Sequence, residues 1–75
     1  MDYNRVFQIL TMELTSDILK SEDELERLMN SNIDINEKIS KIKEQLSKIN
    51  TLEHNLNKLT NMLKRDENNN NNNNN

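Results

Sequence analysis

From residue 35 to residue 63 the apolar side chains keep one spacing. Ile35, Ile39, Ile42, Leu46, Ile49, Leu52, Leu56, Leu59 and Leu63 follow one another at steps of three or four residues, and Met62 is the only other clearly apolar residue there. That spacing draws a single stripe down a helix, the seam of a coiled coil. The stripe is too narrow to enclose a core by itself. It is the right width to be covered by another helix.

Taking the Ile35 column as d and extending it by sevens gives Phe7, Leu14, Ser21, Leu28, Ile35, Ile42, Ile49, Leu56 and Leu63, with Ser21 the one polar member. A single heptad frame therefore runs almost the whole chain, and its period of 3.5 implies a left-handed supercoil. The a column is less regular: Asn4, Thr11, Ile18, Leu25, Asn32, Ile39, Leu46, Glu53 and Thr60. Its polar ends are compensated at g by Tyr3, Leu10, Leu52 and Leu59. The stripe thus lies on the d/g side at both ends and the a/d side in the middle. A bundle in which each helix touches more than one neighbour accommodates that better than a two-stranded coil does, which favours a hetero-oligomer over a simple homodimer.

Glycine and proline, the two strongest helix breakers, are both absent. The expectation is an all-α chain: residues 1–66 as one long amphipathic coiled-coil helix, and residues 67–75, almost entirely Asn, as a disordered low-complexity tail. A short Asn tract of this kind is read as a neutral appendage, although such tracts can promote self-association. A continuous helix of about 60 residues would be about 90 Å long. Its weakest point is Asn30-Ser31-Asn32, because Asn and Ser compete for their own backbone groups. The continuous helix is the favoured reading, and a break at 30–33 giving a hairpin of two helices is the alternative. Capping-box spacing is offered by Ser21 with Glu24 and, loosely, by Ser31 with Asp34.

Size sharpens the need for a partner. A chain of 75 residues without Cys has no disulfide or thiolate site to stabilise it, and chains this short usually rely on disulfides, metals or oligomerisation. The lack of Cys is compatible with the cytoplasm. The first residues lack the basic-then-apolar layout of a secretory signal, and no apolar run approaches the roughly 18 to 20 residues of a membrane span.

Charge is divided between the halves. Glu13, Asp17, Glu22, Asp23, Glu24, Glu26 and Asp34 outnumber Lys20 and Arg27 in the first; Lys38, Lys41, Lys43, Lys48, Lys58, Lys64 and Arg65 outnumber Glu37, Glu44 and Glu53 in the second. Much of this is a solvated outer face. The functional reading is orientation: an antiparallel neighbour, or the two halves folded together, would set acid against base.

No constellation for catalysis emerges. His54 falls at b, on the water side beside Glu53. Glu22, Asp23, Glu24 and Glu26 lack the loop spacing and turn glycine of a calcium site. Lys38, Lys41, Lys43 and Lys48 point in different directions, and the net charge is −3, so neither a nucleic-acid face nor a basic membrane-surface helix is indicated. The chain is expected to be a non-enzymatic subunit with no cofactor or metal, whose partners are other helical coiled-coil subunits or further copies of itself. Its partner-binding seam would be Leu28, Ile35, Ile39, Ile42, Leu46, Ile49, Leu52, Leu56, Leu59 and Leu63.

The seam passes through Ile39, Ile42 and Leu46 into Ile49-Asn50-Thr51-Leu52-Glu53, and upstream lies Asp17-Ile18-Leu19-Lys20-Ser21-Glu22. That order, over residues 17–59, resembles the small helical subunits of biogenesis of lysosome-related organelles complex 1. The cappuccino-like subunit 4 has a similar acidic-apolar-basic-Ser segment before a helix closing on an apolar-acidic-x-Leu-Glu motif, and subunit 2 has a similar Ile-Asn-x-x-Glu closure. A weaker similarity is to the Brick-type helix of the Scar/WAVE actin-regulatory complex. The first resemblance implies a structural subunit acting in endosome-to-lysosome trafficking, cytoplasmic and peripheral on those membranes through its complex. It carries over no catalytic residue.

Overall fold

A computed structural model describes the backbone of residues 3–73 and the side chains of residues 3–65. It contains two helices, α1 (Tyr3–Met29) and α2 (Ile35–Asn73), folded back on each other as an extended hairpin. The principal extents are 61 × 17 × 16 Å, against the about 90 Å of a continuous rod. The favoured sequence reading, one unbroken helix, is therefore corrected: the chain breaks and reverses at residues 30–34.

Burial gives the reason. A lone helix leaves its whole stripe in water, and helices in proteins gain most of their stability from packing. Reversal lays the d column of α1 along the d column of α2. Leu28 is 3% exposed and Ile49 8%, while Phe7, Leu14, Ile42, Leu56 and Leu63 are half-buried. A fully covered Leu or Ile is worth about 1.5 to 3 kcal/mol. The turn residues are ordered in either arrangement, so burial decides between them. Ser21, the polar member of the column, is 3% exposed. It lies inside α1 rather than at a helix start, so the capping box expected with Glu24 is not used as one. It lines a groove between the helices together with Gln45, Lys48 and Leu52 of α2, and at a position so closely covered a bulkier side chain would hold the helices apart.

The turn is closed by side chains acting on the free backbone groups at each helix end. At the end of α1 the amide Nδ2 of Asn30 donates to the Glu26 carbonyl at 3.0 Å and the Ser31 hydroxyl to the Leu28 carbonyl at 2.6 Å. The backbone N–H groups of Asn30 and Ser31 reach the same two carbonyls. Arg27 sits in this last turn, where a cation suits the helix dipole. At the start of α2 the Asp34 carboxylate accepts from the N–H groups of Asn36 (3.1 Å) and Glu37 (3.4 Å), and Lys38 N–H donates to the Asp34 carbonyl at 2.8 Å. Asp34 is thus the N-cap. The spacing Asp34 to Glu37 is the capping-box signal, and the looser pairing of Ser31 with Asp34 is replaced by it. Lys38 Nζ bridges back to the Ser31 carbonyl at 3.0 Å. Among the described residues none has positive φ, which is how a chain without glycine makes this reversal.

α2 is longer than α1, 39 residues against 27, so its last turns run past the start of α1. The described backbone of α2 extends to Asn73. Adding residues to an existing helix avoids the nucleation cost, and Asn, although a weak helix former, is no breaker. Residues 74–75 of the expected tail lie outside the described residues.

The cap gives a direct test. Asp34→Ala should lower hairpin stability by about 1 kcal/mol, with Asp34→Ser close to the parent. Thermal unfolding followed by circular dichroism measures both, and equal midpoints for Ala and Asp would remove Asp34 from this role.

Candidate protein-interaction surfaces

On a heptad wheel the g and a positions flank d on opposite sides. In an antiparallel pair the two g flanks share one broad face of the hairpin and the two a flanks share the other. The grooves between the helices follow that division. Asp17, Ser21 and Glu24 of α1 line one together with Gln45, Lys48 and Leu52 of α2, the g side. Asn4, Phe7, Thr11 and Met12 line another with Leu63, on the a side near the open end.

The residues expected to form the partner-binding seam divide into two sets. Leu28 and Ile49 are buried within the hairpin, and Ile42, Leu52, Leu56, Leu59 and Leu63 are half-buried in it. Ile35, Ile39 and Leu46 remain outside: Ile39 is 48% exposed and Leu46 50%. The cause is rotation of α2. It meets α1 with d and g, placing Lys38, Gln45, Leu52 and Leu59 along the half-buried flank, and turns its a flank to solvent. α1 instead half-buries its own a residues Ile18 and Leu25. Periodicity alone located the stripe, but it could not say which part the chain would use on itself.

Other large apolar residues of α1 are exposed and were not assigned to the seam: Tyr3, Val6, Ile9, Leu10, Met12, Leu19 and Met29. Tyr3 and Leu10 carried a signal, as g residues flanking the d column. Met29 carried none, being at e and adjacent to a break that the favoured reading did not make.

The charged halves come side by side in the hairpin. Glu24 forms a bidentate ion pair with Arg27, one turn on in the same helix. That hydrogen bond holds the Glu24 carboxyl below its ordinary value of 4.5; desolvation opposes the shift, while the positive charges of Arg27 and of Lys41 and Lys48 on α2 reinforce it. The same contact raises Arg27. Glu37 and Lys41 pair at 3.2 Å with both side chains about half exposed, an arrangement worth little in water. Gln45 is half-buried beside Lys48 and Leu52 in the g-side groove. His54 and Lys43 stand exposed, as expected. Among the described residues no group of His, Cys, Asp and Glu is placed to hold a metal ion, and no helix is long and apolar enough to cross a membrane.

Compared with known protein families, with curated proteins and with solved structures, the chain matches none.

The Glu24 cluster fixes the sign of an acid effect. A carboxylate whose folded value is depressed contributes its stabilisation above its ordinary value and loses it as pH falls through the folded one. Helicity of the hairpin should therefore decline on acidification from pH 5 through the range below 4.5. Glu24→Gln should flatten the part of that decline due to this pair, and added salt should reduce it further. Identical acid titrations for parent and variant by circular dichroism would show that the pair does not support the fold.

Proposed function

We propose that this chain is a non-enzymatic structural subunit of a hetero-oligomeric helical complex in the cytoplasm. The observation that carries the proposal is the apolar surface left over after the hairpin has closed. Exposed Ile39 and Leu46 continue the same heptad frame as the buried Ile49, so the frame has been used only in part. A two-helix hairpin with so few fully buried side chains is marginal alone, and covering the remaining flank with further helices would complete it. The polar ends of the a column support the same reading, since a helix that uses d/g on one neighbour has a/d free for another.

Resemblance of the 17–59 segment to subunits of biogenesis of lysosome-related organelles complex 1 directs the proposal to endosomal and lysosomal membranes, reached through partner subunits and not by insertion. The Brick-type resemblance offers the actin-regulatory alternative. Both are structural roles, with recognition through helix faces.

Affinity purification of the tagged chain with mass spectrometry tests the proposal, and four variants give it resolution. Ile42→Asp and Ile49→Asp put a carboxylate without a partner into the hairpin's own seam, which is strongly unfavourable, and by opening the hairpin should abolish capture of small coiled-coil proteins. Lys41→Ala and His54→Ala lie off the seam and should capture them as the parent does. Loss of partners with Lys41→Ala or His54→Ala, but not with the Asp variants, would move recognition to the charged face.

A further inference from the structure

The leftover apolar surface lies in two places: at the open end, where Tyr3, Val6, Ile9, Leu10, Met12 and Met62 are exposed, and on one side towards the turn. On the a face, towards the turn, stand Ile18 and Leu25 of α1, half-buried, beside Ile39 and Leu46 of α2, about half exposed, with exposed Met29 and Ile35 nearest the turn. Further from the turn the same face is polar, with Thr11, Glu53 and Thr60 exposed at a. The opposite, g face is different. Asp17, Lys20, Glu24 and Lys48 line its groove, so that face carries charges of both signs.

We infer that the a face is a self-association surface: two copies of this chain pack a face to a face as an antiparallel four-helix bundle. This deepens the proposed function, resting on its reading that the residual apolar flank is an assembly surface, and names the first occupant. Three observations support it. First, charge selects both a second copy and its orientation. The outer margin of the patch carries Glu22 and Glu26 on α1 and Lys43 on α2. A two-fold axis parallel to the helices lays α1 of each hairpin along α2 of the other, so each Lys43 meets the partner copy's acidic margin. Stacking α1 on α1 would set Glu22 and Glu26 against themselves. Second, every neighbouring helix pair in this arrangement is antiparallel, the geometry the hairpin already uses, and the interface is isologous and closed. Third, the area is adequate. The molecule is 17 × 16 Å in cross-section and α1 is about 40 Å long, giving a whole face on the order of 700 Å², near the about 800 Å² per partner of a standard interface; the half nearest the turn supplies its apolar core and the polar half its rim. The apolar residues at the open end of the g side, Tyr3, Leu10 and Met62, are left free for other subunits.

Sedimentation velocity on the full 75-residue chain, from micromolar to millimolar concentration, tests the inference. The expected result is a two-chain mass that dissociates on dilution. Leu46→Lys, at a position already half exposed in the single hairpin, should raise the dissociation constant about tenfold or more, since two symmetry-related side chains lose their cover. Lys43→Glu alone should weaken the dimer, as should Glu22→Lys with Glu26→Lys. All three together should restore it, an outcome that misfolding cannot produce. A single-chain mass throughout, a mass greater than two chains, a dimer indifferent to Leu46→Lys, or failure of the combined charge reversal to restore association would each overturn the arrangement. A single-chain mass together with co-purifying helical partners would leave the proposed function standing. A dimer that captures no other protein would do the reverse.

Discussion

Everything in this molecule depends on one line of side chains, the d column, finding cover. Its members recur every seven residues from Phe7 to Leu63, and the chain supplies the cover itself by reversing at residues 30–34. With Leu28 near the turn, and Ser21 and Ile49 in the middle of the hairpin, all buried, the column becomes an internal seam. The remainder follows from that choice. The five turn residues have to satisfy the backbone at both helix ends, and the a flank of α2, rotated out of the seam, has to face water or another molecule.

Magnitudes show why the seam leads and charge follows. The ion pairs Glu24–Arg27 and Glu37–Lys41 lie within single helices at exposed positions, where such pairs add little to stability. They favour helix and soften repulsion along α1, but they do not join α1 to α2. The attraction of Lys41 and Lys48 for Glu24 acts across the hairpin and is screened by salt. It helps select antiparallel apposition of an acidic helix with a basic one. Burial of the column, at about 1.5 to 3 kcal/mol for each fully covered side chain, sets the fold. The buried Ser21, a small polar residue in an apolar column, leaves that seam short of its maximal apolar burial.

Much of this was legible in the sequence, but unevenly. The helical class and the d frame could be read because seven-residue spacing is a direct image of helix geometry. The break was visible only as a weak point. Asn30-Ser31-Asn32 looks like a poor helix and not like a turn, because glycine and proline are missing and the reversal is made by side-chain caps at ordinary φ. The Asp34 to Glu37 spacing carried the needed signal. Division of the surface between internal seam and free flank was not legible. Ile39 and Ile42 look alike as letters, and only the rotation of α2 against α1 separates the exposed one from the half-buried one. The exposed Met29 shows the same limit, since its position matters only once the turn beside it exists.

The central claim is that the d column folds the chain back on itself, and the distance between its two ends tests that most directly. Gln8→Cys and Lys64→Cys place labels on exposed positions of α1 and α2. Spin labels on both, measured with a large excess of unlabelled chain to suppress signals between molecules, report one intramolecular distance. Helices packed at an axial separation of about 8 to 10 Å predict a narrow distribution within about 20 Å once label length is allowed for. A continuous helix would set the labels about 84 Å apart at 1.5 Å per residue. A distribution centred near that long value would contradict the hairpin and return the whole d column to a partner chain.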